Sequence, residues 1–393
     1  MKRFFGLRAK LYGHALLDDF MPIYPLYAVM FTDTGLNAAQ ISSLLFAWSL
    51  TAFFSEVPSG AIADKYPRKY VLIIGQALRA IGFALWFLVP NYWGFLIGFI
   101  LWGLKGAFAS GTTQALVYDE LKNEGKQQDF GKVWGRMSTL QIIGELLANV
   151  AGAVMVIAGY GWLLIAGVVI DIANIIILSL LPKAKKVEST GETRYFAILK
   201  EGITYALKTP AVLRIIALTT FVIGFASIDE YYGVFFEELG METATIAWWA
   251  AAASAVGALA GLAAHKLEHN RHFANNASIG VMVVVWGGLL GLSSVAGGII
   301  APFLIVLFAG FFYLMQVLGE VWVQHAITTH ARATVTSVQG FFAEVCALAA
   351  YAFVGFFAQI ADYATAFRYA AYLTMAFGAA MVLFALLRRR RVE

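Results

Sequence analysis

Apolar runs of about twenty residues recur along the chain, separated by short polar or Gly/Pro-punctuated stretches. A helix rises ~1.5 Å per residue and the hydrocarbon layer is ~30 Å thick, so a run of this length is what a spanning helix needs. The runs predict helices near 11 to 31, 40 to 63, 70 to 89, 94 to 120, 132 to 158 and 161 to 182. A second set is expected near 211 to 236, 244 to 264, 277 to 297, 300 to 325, 333 to 358 and 363 to 387. The segment from Pro182 to Pro210, rich in Lys, Glu, Ser and Thr, is the one long polar stretch. The expectation is an all-α membrane protein with 12 transmembrane helices in two six-helix bundles, residues 1–182 and 210–393, joined by a cytoplasmic linker, 183–209.

Composition agrees with this reading. Of the 393 residues 60% are hydrophobic and 13% charged, and the mean hydropathy is +0.74, so most of the chain belongs in lipid and ordinary soluble classes are excluded. The basic residues fix an orientation, because Lys and Arg are retained on the cytoplasmic side. Of the 28 Lys and Arg residues, all but Arg79, Lys105, Arg136 and Arg368 fall at the termini, in the 183–209 segment or in alternate connections on one side. Both termini are therefore expected to be cytoplasmic, in the inner (plasma) membrane. The net charge of +4 then reports topology, and no nucleic-acid partner is implied. Asp18 and Asp19 interrupt the first apolar run and no small-residue cleavage site follows, so it reads as a retained helix and not a signal peptide. The single cysteine, Cys346, allows no intrachain disulfide and reads as a packing residue.

The halves echo one another. The stretch Thr34-Gly35-Leu36-Asn37-Ala38-Ala39-Gln40-Ile41 is matched by Leu239-Gly240-Met241-Glu242-Thr243-Ala244-Thr245-Ile246, and Gly60-Ala61-Ile62-Ala63-Asp64-Lys65 by Gly261-Leu262-Ala263-Ala264-His265-Lys266. Between the second and third helices, Gly60-x-x-x-Asp64-Lys65-x-Pro67-Arg68-Lys69 resembles the cytoplasmic signature of the major facilitator superfamily of secondary transporters, with Pro67 where that family has a glycine. Gly60 is expected at a close helix contact, and Asp64 to pair with Arg68 or to cap the third helix. The resemblance covers the whole chain and implies two six-helix repeats around a midplane site. It also implies a gating role for Gly60, Asp64, Lys65, Arg68, Lys69 and Asp119. Gly135, Gly144 and Gly152 keep the spacing of the superfamily's antiporter motif, although Ala148 and Asn149 stand where that motif has Gly-Pro. Lys105 takes the approximate place of an arginine that the family associates with proton coupling, with Gly111 retained.

Ionisable groups within spans are costly and mark cavities or partners. Asp18, Asp19, Glu56, Lys105, Glu145, Asp229, Glu230, Glu320 and Glu344 lie within the predicted spans, and Arg79 and Asp171, in the third and sixth helices, read as having a pairing or packing role. By the resemblance, the first, fourth, seventh and tenth helices line the cavity. The candidate substrate and proton site is then Asp18, Asp19, Tyr24, Lys105, Glu145, Asp229, Glu230, Tyr231, Tyr313, Glu320 and Glu344. Adjacent residues on a helix differ by ~100°, so only one of Asp18 and Asp19, and one of Asp229 and Glu230, is expected to face that cavity. Carboxylates beside aromatic faces suit an amphiphilic organic cation.

No P-loop, HExxH pattern or catalytic constellation occurs, so neither an enzyme, a cofactor nor a bound metal is expected. The partners expected are membrane lipid, a small-molecule substrate and protons, with the chain acting as a monomer. The reading is a secondary active transporter working by alternating access, exporting amphiphilic cations against protons. An importer of a small nutrient or metal complex fits the same architecture, and a transporter-like receptor without solute flux is the alternative of another class.

Overall fold

The computed structural model describes residues 6–182, 203–204, 208–267, 276–326 and 332–389. Almost all of the expected linker, 183–209, lies outside the described residues. Those described are helical, with turns and no strand among them. In chain order the helices are α1 (Leu7–Asp18), α2 (Tyr27–Asp33), α3 (Ala38–Lys65), α4 (Arg68–Leu88), α5 (Tyr92–Ala109), α6 (Thr112–Asn123), α7 (Phe130–Met155) and α8 (Tyr160–Ser179). There follow α9 (Pro210–Phe225), α10 (Tyr232–Glu238), α11 (Thr243–Leu267), α12 (Asn276–Ser293), α13 (Ile300–Ala326), α14 (Arg332–Ile360) and α15 (Tyr363–Arg389). Nine helical stretches among the described residues are long and apolar enough to cross a membrane, and Ala277–Ser293 is a shorter apolar helix. They form two compact units, one mainly α1 to α8 and the other mainly α9 to α15.

Three helices expected to be continuous are broken. The run 11 to 31 stops at Asp18, passes through a 3-10 turn at Tyr24–Leu26 and resumes as α2. Pro22 and Pro25 lie in the gap; each lacks a backbone N–H and its ring collides with the carbonyl four residues back. The run 94 to 120 divides at Gly111, whose φ of +66° is the left-handed conformation that glycine tolerates best. The run 211 to 236 passes through six residues of 3-10 helix, Ala226–Tyr231, between α9 and α10. Asp19 therefore stands just beyond the C-terminus of α1, and the argument from ~100° spacing does not apply to it. Asp229 and Glu230 sit on a tighter helix of about 3.0 residues per turn.

Local signals set the other ends. The Asn91 side chain caps α5 by accepting from the amides of Trp93 (3.1 Å) and Gly94 (3.2 Å), satisfying two of the free N–H groups of a helix start. The matched glycine loops share one termination device. Gly35 (φ +93°) and Gly240 (φ +78°) donate to Thr32 O and Glu237 O, and the following amides of Leu36 and Met241 reach back to Phe31 O and Phe236 O. This is the glycine stop that closes the last free carbonyls of a helix.

The interior of the first unit has two layers. Leu11, Leu72, Leu116, Val117, Leu121, Val133 and Leu178 join α1, α4, α6, α7 and α8. An aromatic cluster joins α2, α4 and α5, in which Trp86 meets Phe99 at 4.9 Å and Phe31 meets Phe95 at 4.2 Å. In the second unit α12 and α15 approach through glycines: a Cβ on Gly280 would lie 2.8 Å from Gly378 O. Small residues at such crossings let backbones touch, which is how helices associate in lipid.

Candidate functional site

The break in the first helix collects the buried charge of the first unit. Four residues beyond His14, and so on the same face of α1, Asp18 is 8% exposed. Its carboxylate accepts from Lys105 Nζ of α5 at 3.0 Å and from the Gln76 amide of α4. Arg79, one turn beyond Gln76, is 1% exposed. Its guanidinium donates from Nε and Nη2 to Asp171 of α8 (3.0 and 2.5 Å), from Nη2 to Gln76 Oε1 (3.0 Å) and from Nη1 to the backbone carbonyl of Asp18 (2.9 Å). A further Nη1 contact reaches Met21 Sδ at 3.2 Å. Beside this network His14 Nδ1 lies 2.9 Å from Asn174 Oδ1, one turn along α8 from Asp171. Charges this deeply buried persist only when paired and hydrogen-bonded.

Counting only Asp, Lys and Arg at their formal charges, three carboxylates, Asp18, Asp19 and Asp171, face two cations, Arg79 and Lys105. Asp19 is half-buried in the break and makes no side-chain hydrogen bond or ion pair to a described residue. It lies within electrostatic reach of Asp18, Lys105, Arg79 and the half-buried Glu145 of α7. The cluster thus carries one excess negative charge, and Glu145 adds a second nearby.

Two glycines of α7 bring that helix onto the break. A Cβ on Gly144 would lie 2.3 Å from Leu16 O, and one on Gly152 2.6 Å from Pro22 O, so the backbone of α7 touches both the last turn of α1 and the gap that follows it. Gly135, third in the same spacing, would meet nothing within 4 Å. Above the break Tyr24 is half-buried and stands edge-on to Trp102 at 6.2 Å, with Trp48 at 5.8 Å from Trp102. Trp102 and Tyr27 themselves are packed in the interior.

The cytoplasmic signature behaves partly as expected. Arg68 donates to Asp119 of α6, and α4 starts after Pro67 without a side-chain cap. The side chain of Asp64 lies outside the described residues. Gly60, expected at a close helix contact, has nothing within 4 Å of its Cβ position. Lys65 is exposed, whereas Lys69 is buried and donates to the carbonyl of Leu181 at 2.8 Å, supplying a cation where the C-terminus of α8 needs one.

The second unit is different in kind. Asp229 is exposed and Glu230 half-buried. Tyr231 is fully buried and donates to Tyr351 O at 3.3 Å. Tyr313 is half-buried and presses on Gly257, where a Cβ would lie 2.4 Å from its ring. Glu344 is half-buried on α14, and the side chain of Glu320 lies outside the described residues. Among the described residues no group of three His, Cys, Asp or Glu side chains is disposed to hold a metal ion. The sequence reading missed Gln76, His14 and Asn174. Gln76 had a signal, being a lone amide one turn before an arginine in an otherwise apolar run.

A buried charge network at a broken helix, in an all-helical chain of two units, is the setting in which the comparisons with known proteins fall. The sequence model of the Major Facilitator Superfamily matches residues 14–350. The chain belongs to that superfamily. By family and by its apolar helices it is a multi-pass membrane protein of a transporter superfamily. Similar to this superfamily member is Multidrug resistance protein MdtG of Escherichia coli (strain SMS-3-5 / SECEC), 27% identical over 251 residues, which are 62% of this chain and 59% of MdtG. The chain thus matches less than two thirds of the length of that relative. Among solved structures the nucleoside transporter NupG superposes with a TM-score of 0.79 at 14% identity, over 96% of this chain and 99% of NupG. A D-xylose-proton symporter gives 0.71 at 14% identity over 97% and 95%. At such identity these two structures bear on the fold alone.

Proposed function

We propose that this protein exchanges protons for amphiphilic organic cations by alternating access, exporting them across the inner membrane. The observation that carries the reading is Asp19, a half-buried carboxylate that makes no side-chain hydrogen bond or ion pair to a described residue and stands beside a network of paired charges. A proton and a substrate cation each cancel the same excess charge, so occupancy by one disfavours the other. Such competition is the elementary requirement of an antiporter, since a site can drive exchange only through its differential affinity for the two ligands. Glu145 extends the negative field, and the half-buried Tyr24 and Trp48 offer aromatic faces, on which a cation is worth roughly 0.5–2 kcal/mol. The likeness to MdtG and the Gly135, Gly144 and Gly152 spacing support export as the direction.

In this reading the two bundles, residues 1–182 and 210–393, comprise twelve spans with both termini cytoplasmic, and the chain works as a monomer among membrane lipids. Asp229, Glu230, Glu320, Glu344, Tyr231 and Tyr313 form the second bundle's share of the pathway. Gly60, Asp64, Lys65, Arg68, Lys69 and Asp119 gate its cytoplasmic side. Transport needs neither a catalytic step nor a resident cofactor.

The test is transport of a lipophilic cationic dye in proteoliposomes under an imposed pH gradient, comparing wild type, Asp19→Asn and Asp33→Asn. Asp33 bonds Tyr160 OH at the exposed end of α2 (2.6 Å) and serves as a control away from the break. Gradient-driven dye movement lost in Asp19→Asn and kept in Asp33→Asn is the expected result. Dye movement that ignores the gradient, or that survives in Asp19→Asn with unchanged pH dependence, sinks the proposal. Gradient-driven uptake of a sugar or nucleoside in place of a dye would reassign the protein as an importer.

A further inference from the structure

The C-terminus of a helix leaves its last carbonyls without intrahelical partners, and in the first helix that end lies between Asp18 and the prolines. The carbonyl of Asp18 is satisfied by Arg79, which approaches from α4 and not from the chain that follows. All five guanidinium N–H groups are engaged: Nε and one Nη2 hydrogen with Asp171, the other Nη2 hydrogen with Gln76, and the two Nη1 hydrogens with Asp18 O and Met21 Sδ. Met21 lies on the far side of Asp19, so Arg79 holds the chain on both sides of that residue. Asp171 orients the guanidinium through both of its oxygens, and Gln76 ties the same guanidinium to the Asp18 carboxylate.

We infer that Arg79, anchored by Asp171, is the positioning residue of the break in the first helix, and that it determines where the Asp19 carboxylate stands. The pair sits on α4 and α8, neither of which carries a residue of the proposed substrate and proton site, and it reaches that site through the Asp18 backbone carbonyl and the Gln76 bridge. A planar fork is required: lysine supplies one charge from a flexible stem and cannot hold Asp171, Gln76 and two points of another helix together. The inference rests on the reading of Asp19 as the exchanging carboxylate, and so it is tested with one readout that involves no transport.

The experiment is amide hydrogen exchange on the full-length protein in lipid nanodiscs, with Arg79→Lys and Asp171→Asn, followed by the pH profile of dye transport. The groups facing Asp19 during that titration are Asp18 and His14 on the first helix, Lys105 on α5, Glu145 on α7, and Arg79 and Asp171 themselves. Expected is exchange at least about tenfold faster at residues 19 to 24 in Arg79→Lys, with α5 and α7 unchanged. The transport midpoint is expected to move by about half a pH unit or more. Unchanged exchange at 19 to 24 overturns the inference. So does faster exchange with a wild-type pH profile, provided Asp19→Asn abolishes that profile. If Asp19→Asn leaves the profile intact, the antiport reading fails, and the exchange data alone still decide whether Arg79 holds the break. Should Arg79→Lys not fold, Gln76→Met, which removes the bridge but keeps the arginine, is held to the same two readouts.

Discussion

Both units contain a long helix that gives way to a short one, and they support the gap in opposite ways. In the first unit the gap between α1 and α2 holds two prolines, and its free carbonyl is satisfied by an arginine from another helix. In the second, the gap between α9 and α10 is a continuous 3-10 stretch whose end is closed locally, the Tyr232 amide reaching Asp229 O. The first solution needs a buried cation, a buried acid to balance it and further donors to satisfy the acids. The second needs none, and among the described residues the buried polar side chains of its unit are uncharged: Thr219, Ser254, Ser293, Ser294, Gln339 and Thr374. Proline thus imposes a cost that only another element can offset, and here the offsetting groups bring charge to the helix break.

The largest expected effect removes the cation. Arg79→Ala leaves Asp171 buried and uncompensated and should cost about 3–5 kcal/mol of stability. The double variant Arg79→Leu/Asp171→Leu should recover most of that loss, because a buried pair replaced by apolar groups is close to neutral. Thermal unfolding in detergent measures both. A single variant no less stable than the double would show that the pair is not the support of this unit.

Next is the glycine contact. Gly144→Ala places a methyl 2.3 Å from a backbone carbonyl, and overpacking of this kind costs about 1–3 kcal/mol. Gly135→Ala meets nothing within 4 Å and should be neutral or stabilising by up to about 1 kcal/mol through helix propensity. The two alanine variants, compared by unfolding temperature, separate packing from the spacing they share.

That contrast also marks what the sequence could and could not show. The all-helical class, the apolar runs and the matched glycine loops were legible because length, hydropathy and turn chemistry act locally. Pro22 and Pro25 announced a break that the apolar run concealed: hydropathy scores side chains, whereas the break follows from a missing backbone N–H. Arg79 and Asp171 were legible only as residues with a pairing or packing role, and the further partner of Arg79, the carbonyl of Asp18, is a backbone atom that leaves no trace in composition. Gly144 and Gly152 differ from Gly135 only in what lies opposite, which no spacing records.

A smaller effect is expected at the start of α15, where Asp362 accepts from the Thr365 amide at 2.6 Å. Hydrogen bonds from the Thr365 side chain and backbone hold its carboxyl below the usual range. A depressed folded-state value means that the stabilisation is present above the unfolded value near 3.9 and is lost as pH falls through the folded one. Asp362→Ala should cost about 1 kcal/mol at neutral pH, as loss of a helix cap does. The difference from wild type should shrink as pH falls below the unfolded value and through the lower folded one. A constant difference across that range would assign the loss to something other than the carboxylate.

The smallest stability effect should come from the second unit's own acids. Asp229 is exposed at the 3-10 stretch, and neutralising an exposed charge changes stability by about 0.5 kcal/mol or less. If the second helix break is indeed closed by its own backbone, Asp229→Asn should unfold at the wild-type temperature while altering substrate-driven flux. The same Asp→Asn change at Asp18 takes a charge out of a buried pair with Lys105 and should lower that temperature clearly. A similar loss in both variants would mean that the second break depends on charge as the first does, and that the contrast between the two units is one of exposure alone.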